Sequence, residues 1–135
     1  MRSALKDGTI DVIATDHAPH HYDAKEREFD DAPFGIVGLE TALALGVTQL
    51  VGGGLLTLPE LIDRMSAAPA RVFHLPGGNL SPGAPGDVVV FDPGARWQVD
   101  PERFYSKSRN TPYAGQELTG RVLRTVVAGR TVHPG

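Results

Sequence analysis

The chain has 135 residues, 41% of them hydrophobic and 21% charged, with a formal net charge of −3 and a pI near 5.9. That length holds one ordinary domain or two small pieces. A mildly acidic chain without a basic cluster has no electrostatic means of holding nucleic acid or an anionic membrane, no apolar stretch reaches the ~20 residues of a membrane span, and the lack of cysteine excludes disulfides and thiolate-bound metal.

Met1-Arg2-Ser3 runs straight into polar sequence with no apolar leader, so a cytoplasmic chain is expected. Residues 3–6 read as the close of a helix, followed by the turn Asp7-Gly8. Ile10-Asp11-Val12-Ile13-Ala14 is a nearly continuous apolar run and predicts a strand buried on both faces. It ends abruptly in Thr15-Asp16-His17-Ala18-Pro19-His20-His21. In parallel α/β architectures chemistry gathers where such strands end, and residues 15–35 form a polar loop of the length that function tends to explain.

From Gly35 the pattern turns helical. Ile36, Leu39, Leu43 and Val47, with Leu50, recur at the spacing of one helix face, and Gly52-Gly53-Gly54 stops them. Thr57-Leu58-Pro59-Glu60 is a capping box with proline in the first turn. Leu58, Leu61, Ile62 and Met65 then carry a second helix to about Ala67. Pro69 begins a short turn, and residues 70–73 add another helical turn. After His74, glycine and proline concentrate. Residues 87–92 predict a strong strand behind the turn Pro85-Gly86, and residues 96–99 a weaker one. Residues 121–127 lead through Ala128-Gly129-Arg130 into Thr131-Val132 as a terminal hairpin. A lone doubly buried strand needs neighbours that the chain does not supply nearby, so the sequence reads as the end of something larger.

Asp16 closes the apolar run, where packing does not account for a carboxylate. It is either functional or the side-chain cap of a turn. Imidazoles beside a carboxylate suit metal binding or proton transfer near neutral pH, which raises the interest of His17, His20 and His21, although any one of them alone reads first as solvent-exposed. Pro19 argues for a loop rather than a helical pair of metal ligands. Ala32-Pro33-Phe34-Gly35-Ile36 is a second candidate, because Gly35 lets the backbone approach a ligand closely; a helix entry explains it as well. Asp30 and Asp31 read as solvated charges, His74, His133 and Trp97 as structural, and Asn110-Thr111-Pro112-Tyr113 as a turn.

Taken together, these blocks resemble a family. Ala14-Thr15-Asp16-His17-Ala18-Pro19-His20, followed by Ala32-Pro33-Phe34-Gly35-Ile36-Val37-Gly38-Leu39-Glu40-Thr41, resembles the C-terminal part of bacterial dihydroorotases of the amidohydrolase superfamily. The likeness continues through Ser66-Ala67-Ala68-Pro69-Ala70-Arg71, where relatives commonly show asparagine before proline. It extends to Gly86-Asp87-Val88-Val89-Val90-Phe91-Asp92, Ser108-Arg109-Asn110-Thr111-Pro112-Tyr113-Ala114-Gly115 and Val126-Val127-Ala128-Gly129-Arg130. The later blocks are shared more loosely with hydantoinases and allantoinases, which supply the alternative reading of a related cyclic amidase.

The resemblance implies an α/β fold: the C-terminal fragment of a metal-dependent (β/α)8 barrel, residues 1–75, followed by a small, composite, sandwich-like β domain, residues 76–135. It implies a zinc hydrolase that interconverts dihydroorotate and N-carbamoyl-aspartate in pyrimidine synthesis. Asp16 matches the metal-touching, proton-shuttling aspartate, His20 the histidine that holds substrate, and Phe34 and Gly35 the loop whose backbone contacts it. His17 and His21 match no role. The remaining metal ligands of such enzymes, a His-x-His pair among them, have no counterpart here, and a catalytic zinc takes about three protein ligands. The expectation is therefore that this chain alone is inactive and needs the missing barrel portion or another chain. A non-catalytic chain that pairs with a second subunit is the remaining alternative.

Overall fold

The computed structural model describes residues 1–134. In chain order its elements are α1 (Arg2–Lys6), α2 (Tyr22–Lys25), α3 (Ala42–Gly46) running into a wider π-type turn (Val47–Val51), α4 (Leu58–Ile62), a second π-type turn (Asp63–Ala67) and α5 (Ala68–Val72). Then follow β1 (Val88–Gln98), a 3-10 turn (Pro101–Arg103), β2 (Glu117–Val127) and β3 (Arg130–Pro134). Among the described residues no helix is long and apolar enough to cross a membrane.

The first strand expected from sequence does not form. Residues 10–14 have no regular secondary structure. Nor is the run buried on both faces: Ile10, Val12 and Ile13 are half-buried, and Asp11 and Ala14 are exposed. A strand requires a partner, and the sheet of the described residues contains only β1, β2 and β3. The run is tied instead to its helical neighbours: Ile10 N–H donates to the Ala4 carbonyl, and Ile13 N–H to the Arg64 carbonyl, both at 2.9 Å.

That second bond follows from a defect in the helix. The capping box forms as the sequence predicts, with Thr57 N–H donating to Glu60 Oε2 (2.6 Å) and Glu60 N–H to Thr57 Oγ1 (3.4 Å). The helix does not stop near Ala67 but continues to Val72 through the π-type turn. There Ala68 N–H reaches back to the Asp63 carbonyl, five residues rather than four. Pro69 has no N–H to offer the next carbonyl. The Arg64 carbonyl is thereby released from the helix and accepts from Ile13. The Arg64 side chain completes the anchor, 3.3 Å from the Asp11 carbonyl and 3.6 Å from its carboxylate.

The other correction concerns α3, which starts at Ala42 rather than near Ile36. Residues 36–40 are held by tertiary bonds: Val37 N–H donates to the Asn110 carbonyl (3.1 Å), and Glu40 accepts from Tyr105 N–H (2.8 Å) and Ser106 N–H (3.0 Å). A first helical turn leaves its N–H groups without intrahelical partners, so these outside bonds outcompete it. Leu39, assigned to the apolar face by its spacing, is exposed.

The β region is antiparallel in the order β1-β2-β3. What reads as a strong strand and a weak one is a single strand with shifts of register, the larger closed by Asp92 Oδ1 accepting from Gly94 N–H (2.8 Å) and Ala95 N–H (3.1 Å). The expected terminal hairpin is present. Its turn places both Ala128 (φ 48°) and Gly129 (φ 75°) in the left-handed region, the type I′ geometry that matches the strand twist.

Val37, Ala44, Val99, Phe104 and Leu118 form the buried core, with Leu45, Trp97 and Tyr113 against them. Helix and sheet meet closely: a Cβ on Gly120 (φ +98°) would stand 3.1 Å from Val47, and Thr119 N–H donates to Thr48 Oγ1 at 2.8 Å. Elsewhere apolar surface is uncovered. Val89, Val90, Leu123, Val127 and Val132 on the sheet are 44–59% exposed. A groove of about 410 Å³, lined among others by Ile13, Ala14, Leu45, Leu50, Met65 and Tyr113, lies open beside residues 13–15.

Candidate active site

Residues 15–38 form two strips that lie against each other, one from Thr15 to His21 and one from Pro33 to Gly38. Ala18 N–H donates to the Ile36 carbonyl at 2.9 Å. The contact is too close for side chains on the second strip. A Cβ on Gly38 would stand 2.2 Å from the Asp16 carbonyl oxygen, and one on Gly35 would stand 2.4 Å from Ala18 Cβ. Gly35 also has φ +101°, which a residue with a side chain rarely adopts.

Asp16 is exposed, and its Oδ1 accepts from the N–H of His17 at 2.7 Å. The carboxylate thus caps its own turn, as the simpler sequence reading allows, while its second oxygen is left for other partners. His20 is partly buried, and its Nε2 lies 2.8 Å from the Phe34 carbonyl. A carbonyl only accepts, so Nε2 is the donor in this bond. Phe34 itself points outward, 93% exposed; its contribution to this arrangement is its backbone. The structure therefore brings His20, Phe34 and Gly35 together. Asp16 stands at the other end of the same strip.

His17 matches no role in the resemblance. Its Nδ1 accepts from Gly38 N–H (3.3 Å) and its Nε2 lies 3.4 Å from Ser106 Oγ, so the ring links both strips to the β1–β2 connection. His21 caps α2: its Nδ1 accepts from Asp23 N–H (3.3 Å), and it is exposed. The Lys25 ammonium donates to the carbonyls of Pro33 (2.9 Å) and Gly35 (3.2 Å), bracing the second strip. The Tyr22 phenol is pushed above its ordinary value by its hydrogen bond with Glu26 and by that carboxylate's charge.

Two residues that sequence reasoning read as turn or helix proved central. Asn110 bonds to both strips, and Glu40 grips the 105–106 backbone. The sequence signal for Asn110 was its place between Arg109 and Thr111-Pro112, which marks a turn and says nothing of distant partners. Trp97 and His133 are structural as expected: the indole N–H donates to the Gly120 carbonyl (2.9 Å), and His133 meets the Tyr105 ring edge-on at 5.4 Å. His74 is exposed behind α5 at φ 53°.

Among the described residues no three His, Asp or Glu side chains gather into a group able to hold a metal ion. Asp16 offers one carboxylate, against the three or so protein ligands that a catalytic zinc takes. The donors present do not make up a metal site.

A model of the amidohydrolase family matches residues 1–132, and the chain belongs to that family. It is 50% identical to the dihydroorotase of Geobacter metallireducens over 133 residues, which is 98% of this chain and 31% of the relative. To the dihydroorotase of Anaeromyxobacter dehalogenans it is 54% identical over 132 residues, 98% of this chain and 30% of the relative. Among solved structures it resembles the L-hydantoinase (dihydropyrimidinase) of Arthrobacter aurescens, with a TM-score of 0.90 and 32% identity over 98% of this chain and 31% of that one. The D-hydantoinase (dihydropyrimidinase) of a Thermus species gives 0.88 and 28%, over 98% and 30%. The chain thus spans about 31% of the length of the curated relatives it matches.

Proposed function

We propose that this amidohydrolase-family chain is the proton-handling and substrate-holding portion of a dihydroorotase, the enzyme that interconverts dihydroorotate and N-carbamoyl-aspartate in pyrimidine synthesis. The observation that carries the reading is identity: 50% and 54% to the two dihydroorotases over nearly the whole chain, against 32% and 28% to the two hydantoinases. The exposed apolar residues of the sheet and the open groove beside residues 13–15 support a larger whole. In that whole, residues 1–75 belong to a (β/α)8 barrel and residues 76–135 to a small β domain. Its site of action is the cytoplasm.

Hydrolysis of the ring amide forms a carbon–oxygen bond to the attacking water and breaks the ring carbon–nitrogen bond. The proton lost by the water must reach the departing nitrogen. Asp16 is assigned that transfer: the oxygen not engaged by His17 N–H takes the proton and returns it. His20, with its Nε2 committed to Phe34, presents Nδ1 and the adjoining backbone to the substrate. The zinc that the resemblance implies would find only Asp16 here, the rest of its ligands lying outside this chain, so none of these roles is drawn through it.

The test is a chimera in which this chain replaces the matching segment of the Geobacter metallireducens dihydroorotase. It should hydrolyse dihydroorotate, and Asp16→Asn should lower turnover by roughly 10²–10⁴-fold, the usual contribution of a positioned acid–base group. A folded chimera that hydrolyses hydantoins but not dihydroorotate would overturn the assignment. The 135-residue chain alone should show no turnover above a metal-stripped control.

A further inference from the structure

The two strips of the candidate site are not held together by their own contacts alone. Asn110, on the connection between β1 and β2, stands between them. Its Oδ1 accepts from His20 N–H at 3.2 Å, and its Nδ2 donates to the carbonyls of Ala18 (2.9 Å) and Gly35 (3.3 Å). Its own backbone carbonyl accepts from Val37 N–H at 3.1 Å. One acceptor and two donors in a single plane are what a carboxamide offers. A carboxylate of the same shape would set negative oxygens against two carbonyls, and an aliphatic residue would leave partly buried backbone groups unpaired.

We infer that Asn110 is the positioning residue of the substrate-binding strips, fixing the separation of residues 18–20 from residues 34–37 and so the bond between His20 and Phe34. The inference rests on the reading of His20, Phe34 and Gly35 as substrate contacts. It adds that their spacing is set from the β region, some ninety residues further along the chain. Asn110 touches no reacting atom. It acts through the backbone on either side of the site.

The test uses the 135-residue chain by NMR, comparing Asn110→Ala and the isosteric Asn110→Asp with the wild type at neutral pH. Three readouts are taken: amide exchange at His20, the ring ¹⁵N shifts of His20, and amide exchange at Val37 and Leu45. Asn110→Ala should speed His20 amide exchange by at least about tenfold. Asn110→Asp keeps an acceptor for that N–H but sets charge against the Ala18 and Gly35 carbonyls, and both variants should move the His20 ring signals toward those of a solvated imidazole. Val37, bonded to the residue 110 backbone, and Leu45, bonded to the Thr41 carbonyl, should exchange as in the wild type. Unchanged His20 ring signals in Asn110→Asp, or acceleration of Leu45 in step with the His20 amide in Asn110→Ala, would overturn the inference, the latter by showing that Asn110 supports the whole fold. If Asn110→Ala does not fold, Asn110→Asp alone decides. These readouts need no turnover: a loosened His20 with an inactive chimera would count against the dihydroorotase reading alone.

Discussion

Replacing Gly35 with alanine should open the site strips without unfolding the chain. Its Cβ would stand 2.4 Å from Ala18 Cβ, on a backbone with φ +101°. The conformation costs a residue with a side chain about 1–2 kcal/mol, of which the stiffer unfolded chain of alanine offsets roughly 0.4–1. The overlap costs more. Carbon atoms pack at about 3.5 Å, so Ala18 must retreat by about 1 Å. That stretches both its N–H bond to Ile36 and the bond its carbonyl accepts from Asn110, each 2.9 Å in the wild type and each contributing about 1 kcal/mol. The local loss is then about 3 kcal/mol, or roughly 100-fold in the exchange rate of the Ala18 and His20 amides. Native-state hydrogen exchange reads it directly. Two companions separate the causes. Gly54 has φ +68° with nothing within 4 Å of its Cβ position, so Gly54→Ala should cost only about 1 kcal/mol. Gly38→Ala meets the Asp16 carbonyl at 2.2 Å and should loosen the Asp16 end. The reasoning is refuted if Gly35→Ala protects Ala18 as well as the wild type does, or costs no more than Gly54→Ala.

Pro69→Ala restores an N–H that competes for the Arg64 carbonyl, so the Ile13 amide should exchange several-fold faster while α5 becomes better protected; equal Ile13 rates would remove the account of the released carbonyl. Ala128→Asn places a residue tolerant of left-handed backbone at φ 48° and should raise stability by about 0.5–1 kcal/mol in urea titration. The Thr57 N–H and hydroxyl bonded to Glu60 hold its carboxyl below the ordinary glutamate value. A depressed folded pKa stabilises above the unfolded value and is lost as pH falls through the folded one. Protection of the Leu61 amide should therefore decline as pH drops below the usual carboxylate range, and Glu60→Gln should abolish that decline.

Much of this was legible in the residues. The capping box, the terminal hairpin and the apolar β1 run are local patterns, and each forms where its residues stand. Residues 10–14 show the limit of such patterns, since an apolar run supplies neither the pairing partner that makes a strand nor the cover that would bury it, and here Asp11 and Ala14 are exposed. Residues 36–40 carry a helical stripe, yet Asn110 and the 105–106 backbone claim their polar groups first. The π-type turn at Asp63–Ala67 has no periodic signature at all. At the site, Asp16, His20, Phe34 and Gly35 are marked by chemistry and by resemblance, but the bond between His20 and the Phe34 carbonyl is not. Asn110, Glu40 and the linking role of His17 depend on contacts between distant stretches of chain, which spacing along the sequence does not encode.

The reach of Asn110 also dates the site within the life of the molecule. His20 leaves the ribosome ninety residues before the side chain that fixes it, an interval of about 5–20 s at ~5–20 residues per second. Throughout that time the strips carry their histidines and glycines without a clamp. Closing so long a loop is entropically unfavourable until the β1–β2 connection packs. A nascent chain halted before residue 110 would therefore display the right residues without the carboxamide that spaces them, and the geometry of the site would be among the last things synthesis completes.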